Sequence, residues 1–297
     1  MRNPLASSLV AVADVLDSTA TRLKRRSDRR RRATNVTLSD LTARGFSGVA
    51  PVFVLSTGRT GTALFSDLLE STGQAAVHHS PRPELVRVSR RAFEEGADKT
   101  DMFDEIALTA REELVTEAVR NGRAYVETNN RVTFFAPSFA RVFPESRFIH
   151  IVRHPADIVR SGIRRGWYEG EHAHDMGRIR PLDAAQTGWF DRDPIEKIGW
   201  LWQQTNQFCE EFLATIDESR IQRTTAERLF SDAAEVERLI SFCGVTPPPR
   251  QMIEARIARP VNQQTGGSFP RYHDWTNAQR ALLRDACPLA SHYGYEI

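Results

Sequence analysis

Apolar residues recur along this chain with two different periods, and the switches between them mark out its elements. Leu5, Leu9, Val12 and Leu16 fall at helical spacing, which predicts an amphipathic helix over residues 3–23. From Val52 onward, short apolar runs alternate with longer helical patterns. Val52–Leu55 is bounded by turn residues and reads as a buried strand. Residues 60–71 carry Leu64, Phe65, Leu68 and Leu69 on one helical face. Ala75–His78 predicts a second strand, and 102–120 a helix through Met102, Ile106, Leu114 and Val119. Further strands are expected at 124–126, 147–152 and 221–223. Helices are expected at 155–165 with Pro155 in the first turn, at 194–216, at 233–243 ending at Gly244, and at 277–286. This alternation predicts an α/β fold with a parallel sheet of about five strands covered by helices on both faces. Ligands in such folds lie at the carboxyl ends of the strands, so the loops that follow strands are where chemistry is expected.

The strand at Val52–Leu55 runs into Ser56-Thr-Gly-Arg-Thr-Gly-Thr62, a Gly-rich turn that opens a helix. Turn amides and a helix N-terminus together converge on an anion. A P-loop that hydrolyses ATP or GTP needs G-x-x-x-x-G-K-[ST], with the Lys reaching the terminal phosphates. Here Gly58 and Gly61 are too close together, and the chain's only lysines are Lys24, Lys99 and Lys197. The cation in the turn is Arg59. A second constellation follows the strand at 147–152. It ends at Arg153, turns at His154-Pro155, and continues into a helix carrying Asp157, Arg160 and Ser161. A planar guanidinium and a hydroxyl suit a phosphate monoester. The competing reading is an Arg paired with Asp157 one turn on; beside the first loop, the ligand reading is favoured.

Bulk properties change this picture little. At 297 residues with net charge +2, the chain suits one large core or two small ones, and its charge does not argue for nucleic acid. The charge is unevenly placed: seven cations fall in the nine residues from Lys24 to Arg32. No aromatic residues interleave them, which weakens a nucleic-acid role further. Two readings of this region stay open. It is a docking helix with a solvated linker, or helix and cluster rest on an anionic membrane surface through residues 1–32. Cys209, Cys243 and Cys287 are few and widely spaced, so neither a disulfide framework nor a C-x-x-C metal site is expected. They fit a reducing, cytoplasmic setting. No apolar run reaches membrane-spanning length, and Asp14 and Asp17 spoil a secretory signal. Asp14, Asp17 and Glu235 read as ordinary surface charges.

Taken together, these motifs resemble the sulfotransferase superfamily. Its 5′-phosphosulfate loop commonly reads G-R-[ST]-G-[ST] in the bacterial, carbohydrate and tyrosylprotein branches, and Gly58-Arg-Thr-Gly-Thr62 matches it. Its 3′-phosphate motif, roughly [IL]-x-R-x-P-x-[DE]-x-x-x-S, is matched by Ile151 to Ser161. Arg223-Thr-Thr-Ala-Glu-Arg-Leu229, followed by Phe242-Cys-Gly244, is similar to later family signatures. The resemblance implies a P-loop-like three-layer sandwich over residues 46–297, with 1–45 outside it as an amphipathic helix plus basic linker. It also implies a donor substrate, 3′-phosphoadenosine 5′-phosphosulfate (PAPS), and no metal.

Sulfuryl transfer parallels phosphoryl transfer, so catalysis is largely positioning and electrostatics. The resemblance assigns the donor's 5′-phosphate to Thr57, Gly58, Arg59, Thr60, Gly61, Thr62 and Ala63. Arg59 neutralises charge developing on the bridging oxygen, where the cytosolic branch uses Lys. Arg153 and Ser161 would hold the 3′-phosphate, and Gly267 and Arg271 are candidates near the purine. The family places its general base after the second strand, so His79 is the first candidate and Glu84 the second. Glu127 is third, in a segment where Thr128 replaces the family's Lys. An imidazole has the right basicity for neutral pH. His78, His150 and His154 read as structural, and Trp275 as core. In the long insertion from Gly166, four aromatic residues (Trp167, Tyr168, Trp189 and Phe190) either stack on an acceptor or pack against the helix carrying Trp200. The acceptor would be a hydroxyl or amine of a small molecule, glycan or lipid-linked compound. Two alternatives stay open: a nucleotide-dependent phosphotransferase, and a non-catalytic nucleotide-binding or membrane-docking module.

Overall fold

In the computed structural model, residues 45–170, 173–259 and 268–297 are described. The helix expected at 3–23 and the basic cluster lie outside them, as do Asp14, Asp17 and Gly267. The short apolar runs form five strands: β1 (Val52–Leu55), β2 (Ala75–His78), β3 (Ala124–Glu127), β4 (Arg147–Val152) and β5 (Ile221–Thr225). All are parallel, in the order β2-β3-β1-β4-β5. β1 therefore sits at the centre, with β3 on one side and β4 on the other, and both of its neighbours end beside the loop that follows it.

Strand periodicity divides the core in two. Phe53, Leu55, Phe148 and Val152 face one layer; Val52, Val54, Ile149 and Ile151 face the other. The second layer is built by α1 (Thr62–Ser71), whose Leu64, Phe65, Leu68 and Leu69 are all buried there. The first holds α3 (Thr100–Arg120) and α6 (Pro194–Leu213), together with a nest of phenylalanines in which Phe53 stacks on Phe139 at 4.0 Å. Each large apolar side chain buried in this way contributes about 1.5–3 kcal/mol.

Further helices lie between these, and some of them the sequence pattern did not mark. α2 (Val86–Glu95) buries only Ser89 and Ala92, so its apolar face is too sparse to read. α4 (Ala136–Val142) is a short continuation of a 3-10 turn at Asn130–Phe135. α5 (Pro155–Ile163) follows β4, α7 (Ala226–Leu229) and α8 (Ala233–Phe242) follow β5, and α9 (Arg250–Ile257) is again weakly patterned. α10 (Asn277–Ala286) closes the fold with the expected boundaries and a capping box at Thr276.

Boundaries moved where tertiary contacts decided them. The helix expected from residue 60 begins at Thr62, because Gly58, Arg59 and Gly61 all take left-handed backbone. β5 runs on to Thr225 because Thr224 and Thr225 pair with Ile151 and Val152. One expectation is overturned. Glu235 is not a surface charge but is buried on α8, paired with Arg238 at 2.7 Å and Arg228 at 2.9 Å. Among the described residues, no helix is long and apolar enough to cross a membrane.

Candidate active site

The loop after β1 is clamped at its base. The Ser56 amide donates to Thr133 Oγ1, and the Thr133 hydroxyl donates back to the Ser56 carbonyl, both at 3.1 Å. The chain then turns through Gly58 (φ 82°), Arg59 (φ 62°) and Gly61 (φ 89°). At Gly61 the left-handed backbone favours glycine, and a Cβ would lie tightly against the Phe230 ring at 3.1 Å. Gly61 is the N-cap of α1, and no side chain caps that helix. Its first-turn amides and positive dipole end are thus available to an anion. The Thr60 hydroxyl in the same turn is buried and has no hydrogen-bond partner among the described residues.

The end of β4 is joined to this loop. Trp202 on α6 donates its indole N–H to the Arg153 carbonyl at 2.8 Å, which fixes the backbone there. The Arg153 guanidinium donates to the Arg59 carbonyl at 2.8 Å and to Asp157 at 2.9 Å. Arg153 thus pairs with Asp157, as the competing reading expected, and also lines the same cavity as Arg59. Arg59 in turn donates to Ser161 Oγ at 3.2 Å, and Arg165 donates to the same oxygen at 2.8 Å.

The cavity measures about 370 Å³. Arg59, Arg131, Arg153, Arg165 and Arg178 line it, and among the described residues no carboxylate does. Crowding has an electrostatic signature. Burial, then the Arg153 charge, lowers the pKa of Arg59. Burial, then Arg59 and Arg164, brings Arg165 down to about 10. An anion placed among these groups relieves both penalties.

The three candidate bases separate in space. His79 lines the cavity, with Nδ1 2.8 Å from Thr128 Oγ1. Burial lowers its pKa, reinforced by Arg131 and Arg59 and opposed by Glu70, which favours the neutral ring. Glu84 is outside the cavity lining, and its carboxylate pairs with Arg131 at 3.3 Å. Glu127 is fully buried and also outside the lining. Arg111 grips it with two hydrogen bonds of 2.6 and 2.8 Å, Tyr125 donates at 2.8 Å, and Asn129 at 3.3 Å.

His78 packs beside Tyr125 with ring centroids 5.0 Å apart. His154 caps α5 by accepting from the Ala156 amide. His150 is buried against Asn206 and Glu210. Arg271 is exposed and outside the lining; burial, then Arg164 and Arg271, lowers the pKa of Arg160. The insertion divides its aromatics. Trp189 is buried, edge-on to Trp200 at 5.1 Å and to Tyr168 at 5.7 Å. Trp167 lines the cavity under the Arg178 guanidinium at 4.0 Å, while Phe190 is exposed. Trp275 is buried, as core.

Sequence reasoning missed Arg131, Arg165, Arg178 and Thr205 in the cavity wall. Only Arg165 carried a usable signal, since it lies one helical turn beyond Ser161. Thr205 is buried on α6, and its hydroxyl has no partner among the described residues.

Residues 51–249 match the profile of the family described as "Sulfotransferase family". No curated protein gives a significant sequence match. Solved structures that resemble the chain include a sulfotransferase domain from the curacin biosynthetic pathway, 19% identical with a TM-score of 0.48. That likeness covers 84% of this chain and 99% of that one. Another is a sulfotransferase domain from the Synechococcus PCC 7002 olefin synthase, at 15% identity, TM-score 0.46, and 84% and 97% coverage. A third is a sulfotransferase from Alicyclobacillus acidocaldarius, at 13% identity, TM-score 0.48, and 84% and 97% coverage. These three TM-scores are below 0.5, and family membership rests on the match over 51–249.

Proposed function

The chain belongs to the sulfotransferase family, and on that premise we propose that it moves a sulfuryl group from PAPS to a hydroxyl or amine of a small-molecule, glycan or lipid-linked acceptor. One observation carries the reading. Arg59 and Arg153, from loops after different strands, line a single cavity and are joined through the Arg59 carbonyl. One donor molecule carrying a phosphate at each end can therefore engage both.

In this proposal the first amides of α1, with Thr60 and Thr62, receive the 5′-phosphate. Arg153 and Ser161 hold the 3′-phosphate, with Arg165 beside them. Ser161 Oγ already accepts from two guanidinium groups, so its own proton is left to donate to a phosphate oxygen. Nε2 of His79 takes the acceptor's proton as the acceptor atom bonds to sulfur. The bond from sulfur to the bridging oxygen breaks in line, and its electron pair leaves on that oxygen beside Arg59. The products are the sulfated acceptor and adenosine 3′,5′-bisphosphate. Gly267 and Arg271 belong to the proposal as contacts near the purine. Glu84 and Glu127 take no part in the proton transfer. A cytoplasmic setting is included, since a reducing compartment keeps Cys209, Cys243 and Cys287 as thiols.

Thermal denaturation with added nucleotide tests the donor site. Adenosine 3′,5′-bisphosphate at 100 times its Kd should stabilise the protein by about 2.7 kcal/mol, with ATP giving little. The reverse ranking would favour a phosphotransferase. Radiolabelled sulfate transfer from PAPS into fractionated cell extract then names the acceptor class.

A further inference from the structure

We propose that Thr128 and Ser66 are positioning residues that hold His79 in its Nδ1-protonated tautomer, leaving Nε2 as the basic atom over the cavity. This rests on the reading of His79 as the general base.

The argument is a count of protons along a chain of three hydrogen bonds. The Ser66 hydroxyl lies 2.9 Å from the Thr62 carbonyl and 2.6 Å from Thr128 Oγ1. A carbonyl only accepts, so the single Ser66 proton goes to Thr62. The contact between the two hydroxyls must then be donated by Thr128. That uses the only proton Thr128 has. The 2.8 Å contact between Thr128 Oγ1 and His79 Nδ1 is left with one donor, the ring N–H. Every link is satisfied by this assignment and by no other.

The surroundings keep the chain in place. Thr128 is 0% exposed and Ser66 5%, so water does not compete for these hydroxyls. The Thr128 amide donates to the His78 carbonyl at 2.9 Å, which fixes the backbone next to residue 79. The terminal acceptor, Thr62, is the first residue of α1, so the helix that receives the donor's phosphate also sets the direction of the relay. Nε2 of His79 makes no hydrogen bond among the described residues, and the ring lines the cavity.

The logic is that of a triad, in which a third group fixes the tautomer of the base. A neutral hydroxyl replaces the usual carboxylate. It orients the ring without adding a negative charge that would raise its pKa. The charges facing His79 are Arg131 and Arg59, which favour the neutral ring, and Glu70, which opposes them.

Nitrogen-15 NMR of the histidine side chains in the full chain at alkaline pH tests the assignment, with the His79 signals identified by their loss in His79→Gln. The wild type should show Nδ1 protonated and Nε2 bare. Thr128→Val should give a mixture of tautomers. It should also lower kcat on the order of 10-fold or more, with KM for PAPS unchanged, measured on the acceptor fraction that takes up radiolabel. Thr128→Ser should restore both. Ser66→Ala frees the Thr128 proton and should also mix the tautomers, which covers the case of a poorly folding valine variant. A wild-type ring protonated on Nε2, or one tautomer retained in both variants, overturns the inference. Undiminished turnover in His79→Gln overturns the base assignment instead, and the NMR signals show separately whether the relay exists.

Discussion

Arg59 holds a left-handed backbone (φ 62°) that costs an L-residue about 1–2 kcal/mol. The strain is tolerated where the surroundings over-determine it: its carbonyl is held by Arg153 and its guanidinium by Ser161. Glycine at this position would relieve the strain and remove the cation together. Arg59→Gly is therefore expected to keep or raise the melting temperature while lowering kcat by about 10²–10³. A fall in stability matching the fall in activity would instead make Arg59 a structural brace. The motif Gly58-Arg-Thr-Gly-Thr62 was legible because all its determinants are local. Thr205, whose hydroxyl has no partner among the described residues, was not, because nothing within α6 distinguishes it from the other polar residues of that helix.

Between elements, the Arg111–Glu127 pair joins α3 to β3 with both side chains completely buried. Glu127 was visible as an acid after a strand and stood among the candidate bases. Its partner was hidden, because an arginine inside a polar helical pattern reads as a solvated charge. Removing one member of such a pair leaves the other charge buried and costs about 3–5 kcal/mol, whereas replacing both with apolar groups is often neutral. Urea denaturation should show Glu127→Gln strongly destabilised and the double variant Arg111→Met with Glu127→Leu much less so. Loss of turnover in Glu127→Gln with an unchanged urea midpoint would return Glu127 to the list of bases. The same reasoning explains α2 and α9, which pack through so few apolar residues that no helical face was readable.

For the whole molecule, one buried cluster ties the sheet to its covering layer. His150 on β4 contacts Asn206 at 3.0 Å and Glu210 at 3.3 Å on α6, and Tyr293 near the C-terminus donates to Glu210 at 2.9 Å. Burial alone would lower the pKa of His150; Cys209 and Glu210 outweigh it and raise the pKa to about 10. Glu210 moves down to about 2, because His150, Tyr293 and Arg223 outweigh its own desolvation. The signs are opposite. The histidine contribution is complete below its unfolded value of 6.5 and is lost as pH rises to about 10. The carboxylate contribution is complete above 4.5 and is lost as pH falls toward 2. The urea midpoint should therefore decline from pH 6.5 upward in the wild type, and the decline should flatten in His150→Asn. An equal slope in both proteins would show that the ring is neutral in the fold.

Short apolar runs, helical spacing and one Gly-rich turn determined the strands, the alternation with helices and the two strand-end loops that carry Arg59 and Arg153, since each depends on neighbours a few residues away. Strand order, the cavity wall and the sorting of His79 from Glu84 and Glu127 came only with the tertiary structure. The contacts that decide them span 49 residues from His79 to Thr128, 62 from Ser66 to Thr128, and 102 from Arg59 to Ser161. Such partners meet only because a parallel sheet brings the ends of β1, β2, β3 and β4 to one edge, and no local pattern encodes that meeting.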